Sequence, residues 1–222
     1  MKLLSVNLGR AKAVPYTDNP EGLTGIDKRP EQGPVRVTAP GPKGIGGSAL
    51  AGDAVCKKQH HGGDDQAVYA MAREDMDDWE RELGRELANG FFGENLTTLG
   101  VDVSGARIGE RWLIGSEVVL EVTSARIPCG TFQGHMDERR WVKRFTQRGA
   151  PGAYLRVIEP GEIRAGDPVE IVRRPDHEVT VALVFRAMTT ERPLQPRLLA
   201  AGGALHPELL RSAREYVAKH SA

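Results

Sequence analysis

The chain has 222 residues, and its 30 lysine and arginine residues balance 30 aspartate and glutamate residues, so its formal net charge is zero with neutral histidines. This balance argues against a dedicated nucleic-acid-binding protein, because such proteins usually carry a basic excess that contacts phosphates. No segment reaches the roughly 18 apolar residues that a membrane-spanning helix needs, and charged residues near the N-terminus interrupt any signal-peptide core. We therefore expect a soluble, cytoplasmic protein with neither nucleic acid nor membrane as a partner.

Short apolar runs rich in β-branched residues alternate with Gly, Pro and Asp along the chain, a pattern that favours strands joined by tight turns. We predict eight strands, at residues 2–8, 35–38, 53–57, 67–71, 117–124, 154–158, 169–172 and 179–185. Alternating β-α units are missing, so the pattern indicates a barrel or a sandwich.

Helical spacing of apolar residues appears in three segments. The spacing predicts helices over residues 74–87 and 137–148, which would cap the strands, and over the residues that follow His206-Pro207. The composition changes near Phe185, beyond which Ala, Leu, Arg and Glu dominate. We therefore predict a strand-rich domain over 1–185 and a helical appendage over 186–222 that is too short to fold alone.

Cys56 and Cys129 are the only cysteines, and they fit neither a disulfide framework nor a zinc motif. Cys129 stands between Pro128 and Gly130 with Arg126 nearby, and a cation favours the thiolate form that binds a soft metal or attacks an electrophile. A buried cysteine acting as a small hydrophobe explains this pattern equally well. For Cys56, which lies within a predicted strand, the hydrophobic role is favoured.

Three further segments carry residue types suited to binding. Gly62 and Gly63, after His61, let the backbone approach a ligand and present N–H groups to an anion, although a Gly-Gly turn between strands explains them equally well. Asn95 in the Gly-Glu-Asn segment suits recognition of a planar heterocycle or an Asx turn. The cations Lys143, Arg144 and Arg148 suit either a phosphate or a solvated helix face.

An ordered set of these segments resembles one family. The set comprises His-Gly-Gly at 61–63, Ala-Val-Tyr-Ala at 67–70, Gly-Glu-Asn-Leu-Thr at 93–97, Pro-Cys at 128–129, Lys-Arg-Phe at 143–145, Gly-Ala-Tyr-Leu-Arg-Val at 152–157, Gly-Asp at 166–167 and Arg-Pro at 174–175. It resembles the MOSC domain, named for the C-terminus of the molybdenum cofactor sulfurase, and is most similar to the bacterial YiiM-like group with its helical C-terminal extension. The resemblance covers residues 1 to about 210 and implies an α+β fold, a β-barrel capped by helices.

The resemblance also implies a cofactor and the residues that bind it. Its cofactor is the molybdenum cofactor (Mo-molybdopterin), with Cys129 as the metal ligand and catalytic residue. The remaining matched residues imply contacts of Lys28, Arg148 and Arg156 with the cofactor phosphate, of His61, Asn95 and Arg126 with the pterin, and of Thr24, Gly25, Gly62 and Gly63 with the same cofactor. Two departures from the group stand out: Gln66 replaces a lysine, so another cation must compensate if that lysine contacts phosphate, and residues 40–52 form a longer segment that we expect to be a loop insertion.

By this resemblance the chain is expected to be an oxidoreductase that reduces small N-hydroxylated compounds of the hydroxylaminopurine or amidoxime type. Two cysteines cannot hold an iron–sulfur cluster that needs four, and no flavin or haem motif is present, so an external electron-donor protein is expected. Two alternatives stay open: a non-catalytic cofactor carrier or persulfide-holding protein, and a barrel whose site is empty. The oligomeric state is also open, with a homodimer as one candidate.

Overall fold

The computed structural model describes residues 1–220 as a mixed α+β fold. Its strands are β1 (Lys2–Gly9), β2 (Lys12–Ala13), β3 (Leu23–Thr24), β4 (Lys28–Pro30), β5 (Val35–Val37), β6 (Val68–Ala72), β7 (Leu96–Leu99), β8 (Arg111–Ile114), β9 (Val118–Ala125), β10 (Ala153–Glu159), β11 (Gly161–Ile163) and β12 (Val169–Arg173). Its α-helices are α1 (Arg73–Leu83), α2 (Gly130–Met136), α3 (Trp141–Arg148), α4 (Val181–Thr189) and α5 (Pro207–His220), and 3-10 helices cover Asp64–Gln66 and Arg192–Ala204.

Eight strands form one large sheet in the order β12-β8-β9-β10-β6-β7-β1-β4. Neighbouring strands are antiparallel except β6 and β7, which are parallel. Backbone hydrogen bonds from Leu3 N to Asp167 O (2.9 Å) and from Val169 N to Met1 O (3.1 Å) connect the start of β1 to the chain at β12. Across residues 1–220, however, no ladder pairs the edge strands β4 and β12, so the α+β class is confirmed and the barrel is not.

The core lies against β9, all eight residues of which are buried. Beside it, α1 and α3 pack through Trp79 and Trp141, whose ring centroids are 4.4 Å apart. Both helices were expected from their aromatic spacing, but they are shorter than predicted. Gly84, with φ +65°, ends α1, and the left-handed residues Asp137 and Arg140 separate α2 from α3.

Two predicted strands are wrong. Residues 53–57 form an irregular loop, and the segment predicted as a strand over 179–185 instead begins α4, where the Thr180 hydroxyl accepts a hydrogen bond from Leu183 N (3.1 Å). Because α4 is buried on most of its surface, its apolar residues do not reveal a helical period. The predicted boundary at residue 185 falls inside this helix, and the division into two domains stays a prediction.

The C-terminal segment docks on the sheet, as its apolar stripe requires. His206 N donates to Thr123 O (3.0 Å) in β9, and Arg156 of β10 donates to Ala204 O (3.2 Å). On α5, Ala213 is fully buried. Within residues 1–220 none of the helices combines the length and the apolar character that crossing a bilayer requires.

Candidate functional site

One pocket, which we call the Cys129 pocket, gathers segments that are distant in sequence. Its lining includes eight of the sequence-predicted residues: Thr24, Gly25, Lys28, His61, Gly62, Asn95, Arg126 and Cys129. It adjoins a larger surface groove and shares with it Leu23, Ser48 and residues 53–57. The sheet and α2 therefore bring most of the predicted site together, whereas Gly63, Arg148 and Arg156 do not line the pocket.

Cys129 reaches the pocket because it follows β9 and immediately precedes α2. Its backbone is extended, with φ −126° and ψ 173°, and its carbonyl accepts a hydrogen bond from Gln133 N (3.1 Å). Cys129 and Cys56 are both partly exposed and unpaired with each other, and both line the pocket. Burial raises the pKa of the Cys56 thiol, which disfavours the thiolate form that binds a metal.

Lys28, Asp53 and Asn95 form one side of the pocket, which we call the paired wall. Asp53 accepts hydrogen bonds from Gly9 N (2.7 Å) and from Asn95 Nδ2 (2.8 Å), and it forms a buried ion pair with Lys28. The Asn95 side-chain oxygen accepts from Tyr69 N (3.1 Å). These polar groups are satisfied within the protein, so the Asn95 amide is committed to holding the wall.

Glu94 lies behind the paired wall and shapes the Gly-Glu-Asn turn. Its carboxylate is fully buried and accepts hydrogen bonds from Gly90 N (2.5 Å), Phe92 N (3.0 Å) and Thr97 Oγ1 (2.8 Å). Burial raises the pKa of Glu94, and these hydrogen bonds oppose that rise. In the Gly-Glu-Asn motif, Glu94 therefore serves to hold the turn through hydrogen bonds within the protein.

Gln66, Arg126 and Cys129 form the other side, which we call the open wall. Arg126 is only 6% exposed, and its guanidinium lies 3.8 Å from the centroid of the Phe132 ring. Its Nη1 atom and the Gln66 Oε1 atom are buried with no hydrogen-bond partner, and Arg126 forms no ion pair with any residue from 1 to 220. Burying such groups without partners is unfavourable, and both atoms can bind a polar ligand that enters the pocket.

Three further titratable groups of the pocket, His61, Tyr69 and Tyr154, are neutral near pH 7. Burial, followed by the charge of Arg126, lowers the pKa of His61 to about 4. Burial raises the pKa of Tyr69 and of Tyr154, and the Tyr69 hydroxyl donates to Pro151 O (2.9 Å). Arg126 is therefore the uncompensated charge in this wall, and it favours an anionic ligand.

Gly62 and Gly63 lie against the longer segment 40–52, which approaches their backbone closely. Gly62 and Gly63 both have φ +77°, and a Cβ on Gly62 would lie 2.5 Å from Gly47 O. Gly63 N donates to that same oxygen (3.0 Å), so its N–H is not available to an anion. The turn interpretation therefore holds for Gly63, while Gly62 also lines the pocket.

Arg148 and Arg156 do not line the Cys129 pocket, and their expected contact with the cofactor phosphate stays a prediction. Arg148 forms ion pairs with Asp78 (3.5 Å) and Glu82. Arg156 forms ion pairs with Asp65 (2.8 Å) and Glu121 (3.4 Å). These carboxylates already neutralise both guanidinium groups within the protein.

The sequence interpretation missed several lining residues. They are Thr17, Asp18, Leu23, Ile26, Ser48, Asp53, Ala54, Val55, Cys56, Lys57, Gln66, Ala67, Tyr69, Gly93, Thr131 and Tyr154. Tyr69 and Tyr154 stand within matched motifs, which could have singled them out, and Gln66 was noted only as a departure from the family. The loop 53–57 gave no such signal, because its composition resembles a strand.

Comparison with known proteins identifies the family. The family model of the MOSC domain matches residues 57–170, and the chain belongs to that family. It is 32% identical over 184 residues to the uncharacterized protein YflK of Bacillus subtilis, covering 83% of this chain and 79% of YflK.

Two further comparisons place the chain within the family. It has the fold of YiiM: the crystal structure of YiiM from Geobacillus stearothermophilus superposes with a TM-score of 0.77 and 26% identity, covering 97% of this chain and 98% of that one. A protein of Gibberella moniliformis named reductase is 31% identical over 189 residues, which covers 84% of this chain but only 32% of the fungal protein. The chain thus spans about a third of that relative.

Proposed function

We propose that the Cys129 pocket binds the molybdenum cofactor and that the chain reduces N-hydroxylated compounds of the hydroxylaminopurine or amidoxime type. The observation that carries the proposal is Arg126, a buried guanidinium without an anionic partner, in the same wall as Cys129. An anionic, metal-containing ligand suits both groups, because a thiolate binds soft metals and a guanidinium pairs with phosphate or other anionic oxygens. Membership of the MOSC family and the name of the fungal relative support this choice.

The residues of the open wall fit such a ligand. Cys129 would supply the protein thiolate, Arg126 would donate hydrogen bonds from Nη1, and the Gln66 oxygen would accept one from a ligand N–H. Arg126 also provides the positive charge that Gln66 does not. Among residues 1–220 no three His, Cys, Asp or Glu side chains come together to hold a metal, so a metal at Cys129 depends on ligands that the cofactor brings.

When bound, the cofactor supplies a metal centre that accepts oxygen from the substrate. The chain contributes a neutral His61, protonated Tyr69 and Tyr154, and a pocket whose paired wall keeps its shape. Reduction of an N–OH group to N–H consumes two electrons and two protons and releases water. We propose that an external protein delivers the electrons and that the reaction takes place in the cytoplasm.

The test is metal analysis combined with an activity assay. The protein is purified from a host that makes the cofactor, and its molybdenum content and its reduction of a panel of hydroxylaminopurines and amidoximes are measured. Cys129→Ser should abolish reduction and the molybdenum–thiolate signature, whereas Cys56→Ser, in the same pocket, should keep both. Equal losses in the two variants contradict the assignment, and bound cofactor without turnover on any substrate favours the carrier alternative.

A further inference from the structure

The turn between α2 and α3 carries exposed cations that lack partners. One surface groove is lined by Arg139, Arg140, Lys143, Arg144 and Gln147. Arg144 is neutralised by Glu82 (2.8 Å) and Glu138 (3.2 Å). Arg139, Arg140 and Lys143 are exposed and form no ion pair with any residue that the structure describes. On a chain of zero net charge, these three residues, which we call the α2–α3 patch, make a local positive surface.

The backbone of Arg140 strengthens this observation. Arg140 has φ 58° and ψ 31°, in the left-handed region that favours glycine. Asp137, the other described non-glycine residue with positive φ, is of a type that enters this region more readily. A glycine would fit the turn at Arg140 without steric strain. The left-handed backbone therefore gives no reason of its own for an arginine at this position.

The patch lies close to the open wall. Cys129 immediately precedes α2, whose seven residues extend about 10 Å along the helix axis, and the patch begins three residues after α2 ends. Between them, the Phe132 and Trp141 ring centroids are 5.5 Å apart, and Phe132 contacts Arg126. A continuous aromatic cluster thus reaches from beneath the patch to the pocket.

We propose that the α2–α3 patch is the docking site of an acidic one-electron carrier protein, an inference that rests on the proposed function and its need for an external donor. Opposite charges on the two proteins would steer their encounter. Two carrier molecules each give up one electron, and with two protons from solvent these reduce one N–OH group to N–H and water. Nucleic acid fits less well, because the patch is small and the chain is neutral overall.

The test compares matched charge reversals. The patch variant combines Arg139→Glu, Arg140→Glu and Lys143→Glu. The control variant makes the same charge change on α5, where three exposed cations also lack ion pairs to described residues; it combines Arg211→Glu, Arg214→Glu and Lys219→Glu. Turnover is measured with reduced flavodoxin, an acidic flavoprotein, and with reduced methyl viologen, which needs no docking surface. Flavodoxin binding is measured separately by fluorescence anisotropy without substrate.

At low salt the patch variant should lose about tenfold in flavodoxin-driven turnover and in flavodoxin affinity. High salt should bring the wild type down to the same level. The α5 variant should behave like the wild type, and neither variant should be slowed with viologen. Arg140→Gly alone should fold with unchanged stability and still bind flavodoxin more weakly.

Three results would overturn the docking site. The first is an equal loss in the patch and α5 variants, and the second is a wild type that shows no salt dependence with flavodoxin, or neither binds it nor accepts its electrons. The third is an oligonucleotide that displaces flavodoxin from the patch. If the wild type shows no viologen-driven turnover, the proposed function fails instead. The binding measurement then still decides whether the patch recognises an acidic carrier.

Discussion

The two walls of the Cys129 pocket differ in how their buried polar groups are satisfied. In the paired wall, Lys28, Asp53 and Asn95 satisfy one another and the backbone around them. In the open wall, Arg126 and Gln66 each keep a buried polar atom without a partner. Contacts within the protein explain the first arrangement, whereas a ligand that supplied the missing partners would stabilise the second. We therefore propose that the paired wall is scaffold and that the open wall is the recognition surface.

The largest effect on stability is expected from Asp53→Ala in the paired wall. This change leaves the Lys28 ammonium buried without its carboxylate and removes the acceptor of Gly9 N and Asn95 Nδ2. Loss of one partner of a buried ion pair lowers the free energy of unfolding by about 3–5 kcal/mol. Chemical denaturation of the cofactor-free protein measures this effect.

Asp18→Ala is the matched control. It breaks the ion pair of Asp18 with Lys57 (2.9 Å) at the same pocket, but the Asp18 side chain is 68% exposed. We expect a loss of about 1 kcal/mol or less. Equal losses for Asp53→Ala and Asp18→Ala would show that the buried ion pair of the paired wall stabilises the protein no more than the exposed ion pair of Asp18.

A smaller effect should depend on pH through His61. Because its pKa in the folded protein is about 4, below its ordinary value of 6.5, the unfolded chain binds a proton more readily between these pH values. The free energy of unfolding therefore falls on acidification from about pH 6.5 to pH 4, by about 3 kcal/mol at most. The difference between wild type and His61→Gln, measured by denaturation across this range, isolates the effect.

Asp75 on α1 opposes His61 in nearly the same range. Burial, then the charge of Asp102, raises the pKa of Asp75 to about 6, so its contribution to stability is present at low pH and is lost as the pH rises through 6. His61→Gln should therefore expose a fall in stability with rising pH, and Asp75→Asn should expose a rise. Parallel pH profiles for the two variants would contradict these assignments.

The smallest effect on the pocket is expected from Arg148→Ala and Arg156→Ala. Both guanidinium groups pair with carboxylates outside the pocket, so cofactor retention should match that of the wild type. Arg148→Ala should lower stability by about 1 kcal/mol, since Arg148 also lies 4.2 Å from the Trp79 ring centroid. The rate of cofactor dissociation is measured for both variants. A rate tenfold faster than that of the wild type would show that the substituted arginine contacts the cofactor.

Much of the architecture could be predicted from the sequence where the pattern had a clear physical period. The long strands β1, β9 and β10 and the aromatic helices α1 and α3 follow from alternation or from three-four spacing. Strands of two to four residues, such as β4 and β7, carry too few side chains to show a period. The helix α4 was mistaken for a strand because it is buried on most sides.

The site could be predicted only in part, for a related reason. The family resemblance named Cys129 and Arg126, which lie in the segment between β9 and α2, and both line the pocket. Spacing could not tell which polar groups the fold satisfies internally, so Asn95 looked like a ligand-recognition residue, and Arg148 and Arg156 looked free to bind phosphate. Only the three-dimensional contacts distinguish an occupied hydrogen-bonding group from a free one.

The most direct test of the difference between the walls is the stability of Arg126→Met with and without cofactor. Arg126→Met removes a buried charge that has no anionic partner together with its contact with the Phe132 ring. The cofactor-free protein should therefore lose about 1 kcal/mol or less. The same change should weaken cofactor retention at least tenfold, since a charge-assisted contact contributes about 1.5–3 kcal/mol. If cofactor-free Arg126→Met instead loses several kcal/mol, as Asp53→Ala should, and retains cofactor normally, Arg126 is scaffold and the account of the open wall is wrong.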